Sequence, residues 1–343
     1  MLLDIERSTG RLAPHRGRFA PQNWPMAHAI CKNAIFATRD GEEVYATVMP
    51  YNPTPEEKIF SMLDDVDIAI VEEVGRSKYL TSLQIYQYVV LRGFQTKRTG
   101  IRNRLNKLMK CRMLREFEMK SSDVVHGIRF YELDFRGFQL ALKNDVTFHM
   151  GNRFLSNRKK VEVGFVESTE DIKRILTGNM IVLGLLMNNA DINEFHIMET
   201  ERPIQETPIT DGSIIRTAAS VKIDEDVILY EVVRSSPHSM RKVADKISRY
   251  YTLLQNESYL KNNVHGYSSL PQFVICAESL EHARKIDAYL RERGLWREED
   301  TILYTHDLLH LKRTLRTLYE LREDGTQCWY SMPSRYSVEA VSA

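Results

Sequence analysis

Apolar residues recur with a helical period in three successive segments between residues 54 and 112. The pattern predicts one helix from about residue 55 toward 74, interrupted once, a second that ends at Gly93, and a third that ends near residue 111. Their expected N-terminal caps are Thr54 before Pro55, the Thr81–Gln84 capping box, and either Thr96 or Thr99. Two strands, at 114–119 and 127–134, and a helix over 135–142 are predicted to follow. Three helices and then a strand pair are the order of a winged helix-turn-helix domain, which we place at residues 54–143.

The segments on either side of this region lack the helical period. Residues 1–25 carry four arginines and three prolines, which predicts an irregular basic arm. Apolar and polar residues alternate on both sides of Asp40-Gly41, a dipeptide that favours a tight turn, so we expect a β-hairpin within residues 30–50, with strands near 33–38 and 43–49. Residues 144–160 are polar, basic and aperiodic, which predicts a linker.

Beyond residue 160 the chain alternates between predicted helices and strands. Helices are expected over 168–189, in two pieces around Gly178, and over 238–261, 280–293 and 308–321. Strands are expected at 195–200, 212–221, 227–234, 271–277 and 301–306. This succession predicts an α/β sandwich built on a mixed sheet at residues 161–330, with a C-terminal tail at 331–343. The fold class expected for the whole chain is therefore multi-domain α/β.

Composition excludes several classes of protein. The chain has 343 residues with 47 Lys+Arg against 46 Asp+Glu, a formal net charge of +1, which excludes a polycationic nucleic-acid coat and an acidic disordered tail. The longest strongly apolar run, residues 180–187, is far shorter than the roughly 20 residues of a membrane helix. The four cysteines form no CxxC pair, and the N-terminus lacks the apolar core of a signal peptide. We expect a cytoplasmic protein with reduced thiols and no membrane partner.

Positive charge is concentrated in the third predicted helix. Residues 96–112 contain seven cations and no acid, the cations being Lys97, Arg98, Arg102, Arg104, Lys107, Lys110 and Arg112. Arginine can bind guanine or phosphate and asparagine can pair with adenine, so such a helix has the donors that a duplex groove accepts. We predict contact with double-stranded DNA through Lys97, Arg98, Arg102, Asn103, Asn106 and Lys110. The open alternative is a solvated helix face in an oligomeric or scaffolding domain.

Two carboxylates form a second candidate site. Asp211 lies just before one predicted strand and Glu231 lies within the next. Carboxylates at the ends of adjacent strands can converge on a divalent metal such as Mg²⁺. The structural alternative is that Asp211 caps a turn before Gly212, while Glu231 forms an ion pair with Arg234 or Lys246.

The order of elements, with an acid before the second strand and another in the third, resembles the PD-(D/E)xK nuclease-like fold. More narrowly, the chain is similar to the replication-relaxation family of plasmids and conjugative elements, in which a winged helix precedes such a domain. The likeness rests on residues 209–213 (ITDGS), 228–234 (ILYEVVR) and 246–251 (KISRYY), and it covers residues 55–135 and 165–305. It implies a DNA-binding accessory protein of replication, transfer or transposition, with protein partners in that complex.

The chain departs from the nuclease pattern at two positions. Thr210 stands where the pattern has proline, and Val233 stands where it has the lysine that orients the attacking water and stabilises charge on the phosphate. Lys246 on the following helix could reach the same space, as could Lys222 or Lys242. The catalytic set would then be Asp211, Glu231 and Lys246, with Mg²⁺ or Mn²⁺ held by the two carboxylates. We expect instead a non-catalytic domain that requires no cofactor. An active endonuclease is the alternative, a protein-interaction scaffold is a further one, and the oligomeric state is left open, with a homodimer among the options.

Overall fold

The computed structural model of the chain describes residues 36–47, 55–121, 127–149, 154, 168–188, 190–197, 200–201, 215–224, 226–255, 271–296, 302–311 and 315–333. They belong to two compact units, one within residues 39–179 and the other formed by residues 36–38 and 180–333. Both units combine helices with a β-sheet, which confirms the α/β class. The predicted basic arm and residues 334–343 of the predicted tail lie outside the described residues, and the predicted linker is described only at 144–149 and 154.

The first unit packs helices against a four-stranded antiparallel sheet. Its elements are β1 (Glu43–Ala46), α1 (Glu56–Phe60), α2 (Asp65–Ser77), β2 (Leu80–Thr81), α3 (Ser82–Leu91), α4 (Arg98–Lys110), β3 (Leu114–Lys120), β4 (Ile128–Leu133), α5 (Phe135–Lys143) and the first part of α6 (Thr169–Met187). The strand order is β1-β3-β4-β2. The predicted capping box of α3 is confirmed, because the amide of Gln84 donates to Thr81 Oγ1 at 3.2 Å and the amide of Thr81 donates to Gln84 Oε1 at 3.0 Å.

The predicted interruption of the first helix is confirmed, because α1 ends at Phe60 and α2 begins at Asp65, where the carboxylate of Asp64 accepts hydrogen bonds from the first amides of α2. Two other local predictions are wrong. Helix α4 begins after Lys97, whose side chain makes no capping bond. Thr96 therefore lies one residue too early to cap this helix, and Thr99 lies inside its first turn. Residues 36–38 are not a strand, and β1 pairs with β3 instead of closing a hairpin across Asp40-Gly41.

The second unit contains a seven-stranded mixed sheet. Its elements are the second part of α6, β5 (Glu194–Ile197), β6 (Thr200–Glu201), β7 (Ile215–Arg216), β8 (Ala219–Ile223), β9 (Asp226–Val232), α7 (Ser239–Leu254), β10 (Gln272–Ala277), α8 (Leu280–Glu292), β11 (Leu303–His306), α9 (Asp307–His310), β12 (Leu318–Leu321) and β13 (Gln327–Tyr330). The strand order is β13-β12-β11-β10-β9-β8-β5, with β6 and β7 in a separate pair. Strands β9, β10 and β11 are mutually parallel and the other pairs are antiparallel, so the predicted mixed sheet is confirmed.

Both faces of this sheet are covered. On β9, Val227 and Leu229 join a core with α7 and α8, whereas Tyr230 and Val232 join a core with the second part of α6. Successive side chains of a strand point to opposite faces, so a strand that is apolar on both sides needs helices on both sides. Across the described residues, no helix is both long enough and apolar enough to span a bilayer.

Two helix predictions for this region are wrong. Helix α6 runs without a break through Gly178, because a single glycine weakens a helix by only about 1 kcal/mol and its neighbours Leu176, Thr177 and Asn179 are buried. The helix expected over 308–321 ends at His310, and Leu318–Leu321 is strand β12 between β11 and β13. A short apolar run fits a helix or a strand equally well, and here pairing with the sheet edge decides between them.

Candidate nucleic-acid interface

The six residues predicted to contact DNA lie at exposed positions of one helix. Lys97 is the N-cap of α4, and the other five follow along the helix, namely Arg98, Arg102, Asn103, Asn106 and Lys110. We call this set the α4 outer face. The apolar residues of the same helix, Ile101, Leu105, Leu108 and Met109, are buried. From the first arginine to the last lysine the α4 outer face extends about 18 Å at 1.5 Å per residue, roughly half of one turn of duplex DNA.

The remaining cations of α4 point the other way, toward the start of α2. Arg104 Nη1 donates to Asp64 at 2.6 and 2.7 Å and to Asp67 Oδ1 at 2.9 Å. Lys107 Nζ lies 2.6 Å from Asp67 Oδ2. Partial burial acts to raise the pKa of Asp64, but hydrogen bonds and positive charge from Arg104 outweigh it and the pKa is lowered. These two cations are therefore already neutralised by carboxylates of the same unit.

The cations of the α4 outer face differ from these two. Among the residues that the structure describes, no carboxylate lies within ion-pair distance of Lys97, Arg98, Arg102 or Lys110. Arg112, just past the end of the helix, is different, because its Nε lies 3.3 Å from Asp134 Oδ2. The α4 outer face thus carries four unneutralised positive charges and two amides. It is suited to an anionic partner with hydrogen-bonding edges.

In the second unit, Glu231 contacts Lys246. Glu231 lies in β9 with its side chain buried, and Lys246 extends from α7 so that its Nζ lies 2.5 Å from Glu231 Oε1. The same Nζ donates to the carbonyl of Arg216 at 2.9 Å. Lys246 therefore reaches Glu231, as the catalytic hypothesis requires. The same contact is also the ion pair that the structural alternative predicts. Asp211, the other predicted carboxylate, lies outside the described residues.

The described residues around Glu231 do not fit a divalent metal. Nowhere in the described part of the chain do three or more His, Cys, Asp or Glu side chains form a group that would hold an ion. One oxygen of Glu231 is already occupied by the ammonium group of Lys246. Because Mg²⁺ needs several oxygen ligands at about 2.1 Å, this carboxylate alone does not provide a site.

Arg234, the other expected partner of Glu231, is used elsewhere. Its guanidinium makes two hydrogen bonds of 2.8 Å to Asp307, and both side chains are fully buried. Cys276 Sγ lies 3.6 Å from the same carboxylate, and burial together with Asp307 raises the pKa of this thiol well above its usual value. These three side chains form a buried group inside the second unit, and none of them is an exposed nucleophile.

Two residues that shape the candidate interface were missed at the level of sequence. Asp64 and Asp67 select which cations of α4 remain available, although they lie 40 and 37 residues before Arg104. Their own spacing was visible, because an acid followed three residues later by another acid fits a capping box. Their second role, as partners of α4, has no local signal.

Comparisons with known proteins give no relative for this chain. No family model matches the sequence, no curated protein matches it, and no solved structure matches the fold.

Proposed function

We propose that the chain is a DNA-binding protein of a plasmid or other mobile element, acting as an accessory protein in replication, transfer or transposition. The observation that carries this proposal is the α4 outer face, with four unneutralised cations and two asparagines on one exposed face in a protein of net charge +1. Phosphate contacts from such a face supply affinity, and the amides are suited to base edges in the major groove.

The order of elements in the first unit supports the same proposal. Helices α3 and α4 are joined by a short connection at residues 92–97, and α4 is followed by the antiparallel pair β3 and β4. In a winged helix-turn-helix, the second helix of the motif enters the major groove. By that analogy α4 is the recognition helix, and its exposed face is the one that carries the cations.

For the second unit we propose a nuclease-like PD-(D/E)xK scaffold that contacts partner proteins and does not cleave DNA. The support is that Glu231 is paired with Lys246, that Val233 replaces the usual lysine, and that the described residues around them do not fit a metal. Lys246 already supplies the charge partner of this buried carboxylate. The domain would then serve through its shape and surface.

The DNA-binding proposal is tested by replacing both outward-facing arginines, Arg98→Ala with Arg102→Ala, and measuring duplex binding by fluorescence anisotropy over a KCl series. Each lost phosphate contact removes about 0.9 from the slope of log K against log salt, so we expect weaker binding and a slope lower by about 1.8. The matched control is Arg284→Ala with Arg293→Ala, two exposed arginines of the second unit. Unchanged binding in the α4 variant with native circular dichroism, or an equal loss in the control, would contradict the proposal.

A second candidate function, a metal-dependent endonuclease, is favoured by one observation, the contact between Lys246 and Glu231. It is tested with supercoiled plasmid in Mg²⁺ or Mn²⁺, comparing the wild type with Glu231→Gln and Lys246→Ala. We expect no cleavage by any of the three proteins. Nicking by the wild type that disappears in both variants would make the chain an enzyme. If neither binding nor cleavage is found, the protein-interaction scaffold is the function that stands.

A further inference from the structure

The cations of α4 fall into two classes, those that contact the carboxylates at the start of α2 and those that do not. Arg104 bridges Asp64 and Asp67, and Lys107 contacts Asp67 and also donates to the carbonyl of Met62 at 2.9 Å. This ion cluster therefore joins the middle of α4 to the N-terminus of α2 and to the turn that follows α1. The cations of the α4 outer face take no part in it.

The two clustered cations are close to solvent but held by a buried group. Their side chains are 28% exposed for Arg104 and 37% exposed for Lys107, whereas the side chain of Asp67 has no exposure. For a DNA phosphate to capture either cation, the buried carboxylate of Asp67 would be left with one cation partner instead of two. Weakening the pairing of a buried charge costs more than an exposed ion pair with phosphate gains, so a phosphate competes poorly for Arg104 and Lys107.

We propose that Asp64 and Asp67 are specificity-determining residues of the DNA interface, because they withhold Arg104 and Lys107 from phosphate. The proposal rests on the proposed DNA-binding function. Phosphate contacts by α4 then come only from Lys97, Arg98, Arg102 and Lys110, four at most. The consequence is a limited sequence-independent affinity, since non-specific binding scales with the number of phosphates neutralised.

The first experiment removes the two acids and measures the salt slope. Asp64→Asn with Asp67→Asn frees Arg104 and Lys107, so we expect the slope on a random-sequence duplex to steepen by about 1.8. A role in folding alone would weaken binding without steepening the slope. The matched control is Glu72→Gln with Glu73→Gln, which removes two carboxylates from the same helix, whose partners Arg76 and Arg92 are not on α4. An unchanged slope in the folded α2 variant, or equal steepening in the control, would overturn the proposal.

The second experiment tests the same division from the side of the cations and decides the matter if the acid variant does not fold. Arg104→Gln with Lys107→Gln keeps amide donors for Asp67, and we expect it to bind with the wild-type slope. Arg102→Gln with Lys110→Gln should lower the slope by about 1.8. Equal losses in both variants would show that all these cations contact phosphate, which refutes the inference while the proposed function stands. A wild type that does not bind duplex at any salt concentration refutes both.

Discussion

Replacing Asp307 with asparagine should destabilise the second unit by about 3–5 kcal/mol, because among the described residues Asp307 is the carboxylate in direct contact with the buried charge of Arg234. The guanidinium and the carboxylate exchange two hydrogen bonds of 2.8 Å, and neither side chain is exposed. Burial alone would lower the pKa of Arg234, but the charge and hydrogen bonds of Asp307 raise it above its ordinary value. The pair is thus stable only while both members are present.

An exposed ion pair within α8 provides the control. Lys285 Nζ lies 2.7 Å from Glu281 Oε1, with side chains that are 66% and 78% exposed, so Glu281→Gln should leave the free energy of unfolding nearly unchanged. Urea unfolding can be followed by the fluorescence of Trp296 and Trp329, which belong to the second unit. A Trp24→Phe background removes the third tryptophan of the chain.

The outcome that refutes the reasoning is a loss for Asp307→Asn no larger than that for Glu281→Gln. A double replacement, Arg234→Met with Asp307→Leu, separates the causes. Because it removes both desolvated charges, it should recover at least half of the stability that Asp307→Asn loses. A double variant as unstable as the single one would assign the loss to packing and not to the stranded charge.

Burial lowers the pKa of His310 to about 3, below its unfolded value of about 6.5. The stability that comes from keeping this imidazole neutral is therefore complete above about pH 6.5, and it is lost at about 1.4 kcal/mol per pH unit as the pH falls below that value. Urea midpoints measured between about pH 7 and pH 5 should depend less on pH in His310→Gln than in the wild type, and equal slopes would contradict this. Gly137→Ala would bring a Cβ to 2.0 Å from the carbonyl oxygen of Met113, so it should lower the melting temperature of the first unit. At an open helical position the same substitution would instead stabilise the helix by about 1 kcal/mol. A higher melting temperature, measured by circular dichroism, would contradict this prediction.

Predictions succeeded where the deciding interactions are local. The capping box of α3 and the strands β3, β9 and β10 were predicted because their signals, a four-residue capping box or an alternation of apolar side chains, lie within a few positions. Strand β12 was predicted as a helix because its short apolar run is ambiguous by itself. Its pairing with β11 and β13 at the sheet edge settled its conformation, and that pairing is not a property of the segment.

The candidate site divides in the same way. The sequence by itself determined that residues 96–112 carry seven cations and no acid, and that the apolar stripe of the helix they form must be buried. It left open whether Glu231 pairs with Arg234 or with Lys246. Tertiary structure alone decided that Asp64 and Asp67 neutralise two of the cations, and that Arg234 finds Asp307 73 residues away. Charges become partners through packing between distant segments, and no local pattern records which acid will face which base.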